Sequence, residues 1–154
     1  MSDLYDQDIL LWSERQAAQL RRLAADVRVN DADLDWENII EEIESVGNSE
    51  LRAVESNLIQ ALIHALKIQG WPATPYVSHW RAEVRGFRAD ATDRCTPSMR
   101  RRIDLARVWR RASQRVPEDI DGQPPLPLPE TCPDTLDQLL GGEPCAMFQE
   151  ADAG

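Results

Sequence analysis

The chain has 154 residues, of which 42% are hydrophobic and 29% charged, enough apolar material for one domain with its own core and too much for a disordered polymer. No apolar run approaches the roughly 20 residues of a membrane span, and the N-terminus lacks the basic-then-apolar order of a secretion signal, so the expectation is a cytoplasmic protein without a membrane role. The net charge of −10 is segregated: 13 of the 17 bases fall between residues 51 and 116 and the acids crowd the two ends, a layout that can neutralise itself within one molecule or across a homodimer.

The first predicted helix starts at Asp6 or Asp8 and runs to about Asp26, with Ile9, Trp12, Leu20, Leu23 and Val27 at helical spacing. The second has Asp35 as its N-cap and Leu34 and Ile39 placed for a hydrophobic staple. Trp36, Ile39, Ile40, Ile43 and Val46 form one face, and Glu37, Glu41, Glu42 and Glu44 the other. Gly47 reads as its left-handed stop, with Asn48 or Ser49 capping a third helix at once. So short a break implies an antiparallel hairpin. The third helix, about Glu50 to Gln69, is apolar nearly all round beyond Leu58. It leaves Asn57, Gln60, His64 and Lys67 as one narrow polar stripe, the pattern of a central bundle helix.

Gly70 to Tyr76, with two prolines, is a stiff turn. The fourth helix carries Val77, Trp80, Val84, Phe87 and Ala91 in register. The fifth opens with Thr96 as cap and Pro97 at its first position. Its apolar side holds Ile103, Leu105, Val108, Trp109, Ala112 and Val116; Arg100, Arg107, Arg111 and Arg115 lie outside. Prolines 124, 125, 127, 129 and 133 force residues 117–133 into an extended strap. A short helix over 134–140 then offers Leu136, Leu139 and Leu140 for docking, and residues 141–154 read as a loose tail. The expected architecture is all-α: a single helical domain over 1–140, with about five main helices and a short C-terminal one after the Pro-rich strap.

Chemistry is harder to find. The acids from Asp31 to Glu42 count like a calcium loop, but Trp36 stands where the loop needs glycine, and the second half would lie inside a helix. Helix-two glutamates invite comparison with carboxylate-bridged metal bundles, yet neither His64 nor His79 has a glutamate three residues before it, so no metal site and no cofactor is expected. The hairpin would bring His64 back beside the Asp31–Asp35 run, where a His–carboxylate pair could act as acid or base. An acid/base or metal-dependent enzyme would then draw on Glu41, Glu44, His64 and Lys67. Arg81, Arg85 and Arg88 line one helix face and lead on to Arg107 and Arg111, which suits a protein partner and, less directly, nucleic acid. Trp80 and Trp109 between them belong to apolar faces. Cys95, Cys132 and Cys145 have no metal or disulfide spacing and read as reduced, mostly buried thiols.

The run from Leu34 to Glu50, with its Glu41-Glu42-Ile43-Glu44-Ser45-Val46-Gly47 centre, resembles the signature of a bacterial family catalogued as "domain of unknown function 29". Tyr5-Asp6-Gln7-Asp8, Trp12, His64-Ala65-Leu66-Lys67, Trp80-Arg81 and Cys132-Pro133-Asp134-Thr135-Leu136 with Leu139-Leu140 extend the likeness over about residues 5–140. Asp134 departs from it, standing where an aromatic residue is expected. The resemblance implies a small bacterial helical protein and supplies no catalytic residue. The expected role is a binding or interaction module with opposed acidic and basic surfaces.

Overall fold

The structure, a computed structural model, describes residues 3–26, 28 and 32–153; Val27 and Asp31, which the sequence reading used, lie outside them. The described residues form eight helices and no strand, with one isolated bridge between Ile120 and Gln123. They group into two compact units, Met1–Ala53 with Cys95–Arg102, and Val54–Arg94 with Ile103–Gly154.

The first unit contains α1 (Asp3–Gln7), α2 (Ile9–Ala25), the opening half of α3 (Trp36–Gly70) and α5 (Pro97–Arg102). Asp8 organises it. Its carboxylate, in a residue only 5% exposed, accepts from Leu11 N at 3.1 Å at the start of α2. It also accepts from Ser98 N at 2.9 Å and from the Thr96 and Ser98 hydroxyls at the start of α5. One side chain thus satisfies the orphan donors of two helices. Burial works against the ionised form, but the hydrogen bonds from Ser98, Leu11 and Thr96 outweigh it and hold the carboxyl below its ordinary value.

The hairpin expected at Gly47 does not exist: α3 is one unbroken helix of 35 residues. Gly47 is buried, and a Cβ built on it would stand 2.1 Å from Ser13 Oγ and 2.9 Å from Leu10 Cα. The glycine is there to let α2 approach, not to stop a helix. Asp35 does serve the helix start, accepting from Asn38 N at 3.3 Å. Leu34 and Ile39, expected to staple it, both stay exposed.

The second unit holds the rest of α3, α4 (Val77–Arg94), α6 (Leu105–Gln114), the strap, α7 (Leu136–Leu140) and α8 (Gln149–Asp152). Val54, Leu58, Leu62 and Leu66 of α3 are fully buried, as are Val84, Val108, Leu139, Leu140 and Phe148. The fifth helix of the sequence reading is two: Asp104 accepts from Arg107 N and starts α6 afresh. The strap has no helix but is not extended throughout: it doubles back in a tight turn at Ile120–Gln123, with Asp121 and Gly122 at positive φ, before it lies on the end of α3, where Leu126 N donates to Gly70 O at 2.9 Å and Trp71 Nε1 to Gln123 O at 2.8 Å. A capping box of Thr135 and Gln138 opens α7 at Leu136, two residues later than the expected start at Asp134. Asp134 is buried instead, accepting from Ala146 N at 3.1 Å and Met147 N at 2.7 Å.

The loose tail is also corrected. Cys145, Met147, Phe148 and Ala151 are buried, and α8 packs on α4. What holds it is Arg88, 6% exposed. Its guanidinium donates to Leu139 O, Gln138 O and Glu143 O at 2.6–3.2 Å, pairs with Asp152 at 3.0 Å, and lies 4.9 Å from the Phe148 ring centre.

Candidate functional site

The residues the sequence singled out do not assemble into one site. His64 is half-buried; its Nδ1 lies 2.8 Å from Gln60 O and donates to it, and its ring stacks on Phe87 of α4 at 5.7 Å. Lys67 Nζ sits 5.2 Å from the Trp80 ring centre. The polar stripe of α3 therefore seats α4. Glu41 and Glu44 belong to the other unit, and without a hairpin the count that folded His64 onto the Asp31–Asp35 run no longer applies. Glu44 pairs with Arg21 at 2.7 Å, and that hydrogen bond lowers its carboxyl below the usual range. Among the described residues no three His, Cys, Asp or Glu side chains converge as a metal site.

The arginine row is largely engaged within its own unit. Arg81 approaches Glu150 at 4.0 Å, Arg85 donates to Ala151 O at 2.9 Å, and Arg88 is the buried anchor of the tail. Arg107 binds both carboxylate oxygens of Glu55 at 2.7 and 2.9 Å. Arg111 remains exposed on α6, beside Arg110 and near Arg115.

What sequence reasoning missed is a groove of about 580 Å³ between α6 and strap residues 130–132. Leu105, Ala106 and Trp109 line it from the helix, and Glu130 and Cys132 from the strap, with Arg110 at the rim. Trp109 is only 5% exposed and donates its indole N–H to Glu130 O at 2.9 Å, which fixes the strap against the helix. Burial pushes the Cys132 thiol up, against the thiolate that nucleophilic chemistry requires. The arrangement therefore favours apolar contact beside the Arg110 guanidinium. The only clue in the sequence was a proline strap returning past an amphipathic, arginine-rich helix; its path was not legible.

A family profile described as "Domain of unknown function DUF29" matches residues 4–143. A crystal structure of an alpha-helical protein of unknown function from Rhodospirillum rubrum superposes with a TM-score of 0.83 and 32% sequence identity, covering 97% of this chain and 96% of that one. No curated protein matches the chain.

Proposed function

The chain belongs to the DUF29 family, and from that premise we propose that it is a binding module of the bacterial cytoplasm whose α6 groove takes an acidic peptide segment by an apolar side chain. The observation that carries this reading is the groove: an apolar wall of Leu105, Ala106 and Trp109 beside the exposed Arg110. No acid lies between residues 105 and 116, so the helix presents one sign of charge to an incoming segment. Nucleic acid is the weaker reading, because Trp80 and Trp109 are buried and offer no face on which a base can stack. The enzyme reading loses its grouping with the hairpin.

The test is fluorescence anisotropy with a labelled peptide of leucine flanked by aspartate and glutamate. Binding that weakens as ionic strength rises is expected, with loss in Ala106→Trp, which fills the groove from an exposed position. An Ala106→Trp variant that binds as the parent does, or single-stranded DNA that competes in preference to the peptide, would sink the reading.

A further inference from the structure

The opening half of α3 carries an apolar row that the first unit leaves uncovered. Ile39, Ile43 and Val46 stand at i, i+4 and i+7 on one side of the helix; Ile39 is 37% and Val46 40% exposed, and Ile43 is half-buried between them. The inward face is a different one: Ile40 and Gly47, each one residue on, are the buried positions, Gly47 against Leu10 and Ser13 of α2. A row of this spacing is what a docking helix reads with its own i, i+3, i+4 and i+7 anchors.

The charges around the row say which helix. Residues 33–50 hold seven acids and no base. Asp35 and Glu42 lie one turn to either side of Ile39 along the edge of the row, and both are exposed. Glu37 and Glu41, farther round, are exposed as well. Arg21 partly neutralises Glu44, which lies away from the row. Two copies meeting on this face would set acid against acid, and an anionic lipid surface would be repelled in the same way. We infer that the Ile39–Ile43–Val46 row of α3 is an interaction surface for a basic amphipathic helix of a partner protein. The partner's apolar residues would cover the row, and its lysines or arginines would meet Asp35 and Glu42 at its edge. This surface is independent of the α6 groove and stands or falls separately.

The experiment uses the full chain and a labelled helical peptide of roughly three heptads with leucine at the a and d positions and lysine at e and g. Saturable binding that weakens with salt is expected. The double variant Ile39→Glu/Val46→Glu should bind about tenfold or more weakly; both positions are exposed, so an unshifted thermal melt will show that the variant is folded. Glu42→Lys, which keeps the apolar row and reverses one charge, should also weaken binding. Ala106→Trp should leave it unchanged. The inference is overturned if the double variant binds like the parent, or if the same peptide with glutamate in place of lysine binds equally well. It is also overturned if sedimentation finds the parent dimeric and the double variant monomeric, since the occupant would then be a second copy.

Discussion

A glycine inside a helix costs about 1 kcal/mol relative to alanine, so its place near the middle of the first half of α3 has to be offset by contact. At Gly47 the offset is the approach of α2: a methyl group there would meet Ser13 Oγ at 2.1 Å and Leu10 Cα at 2.9 Å. Ser13 is fully buried with its hydroxyl on Leu10 O, so the obstruction includes backbone as well as side chain. Gly47→Ala gains about 1 kcal/mol of helix propensity and incurs overpacking of about 1–3 kcal/mol. Net destabilisation is expected in urea denaturation, partly relieved by adding Ser13→Ala. A Gly47→Ala protein as stable as the parent would show that the two helices are not in contact there. The same residue explains why the sequence misled. A glycine that ends a helix and one that admits a neighbour look alike in a string, and the difference resides in Leu10 and Ser13, more than thirty positions away. His64 and Lys67 were legible as a polar stripe; that Phe87 and Trp80 receive them was not.

At the scale of elements, local signals were readable wherever they were local. Asp35 at the start of α3, the all-round apolar surface beyond Leu58, the proline strap and the break after Gly70 all follow from neighbouring residues. The C-terminal segment does not. It has no base, carries Gly141-Gly142 and looks detachable, yet it docks because Arg88, some fifty to sixty residues earlier, collects three of its carbonyls and Asp152. A buried guanidinium with that many acceptors should be costly to lose. Arg88→Met keeps the bulk and removes the donors, leaving Asp152 and the carbonyls without their partner. A loss of about 3–5 kcal/mol is expected, as for other broken buried pairs. Residues 143–152 should become the first site of limited proteolysis. If the variant melts with the parent and its C-terminus resists protease, the tail is held by Phe148 and Met147 packing alone.

For the molecule as a whole, the charge segregation of the linear sequence does not survive folding. The three consecutive arginines of α5 join the acidic N-terminal unit, where Arg102 pairs with Glu14. The unit Met1–Ala53 with Cys95–Arg102 has 13 acids and 8 bases and the other unit 14 and 9, so each carries −5. Asp8, Asp26 and Glu44, all in the first unit, are held below their ordinary values. A carboxyl depressed in the folded state contributes stability above its unfolded value, about 4, and that contribution is lost as pH falls through the lower folded value. Protonation also relieves the repulsion of a net −10 chain, which acts in the opposite direction. The local effect should prevail for Asp8, whose carboxylate is buried and caps two helices, whereas Asp26 and Glu44 are solvent-screened and contribute little. Stability is therefore expected to be flat from about pH 7 to 5 and to fall below about 4. Asp8→Asn should lower it by about 1 kcal/mol at neutral pH, the worth of a helix cap, and flatten the acid limb. Thermal melts across that range check both parts: an acid limb as steep in Asp8→Asn as in the parent would place the pH sensitivity in the general charge and not in this one buried cap.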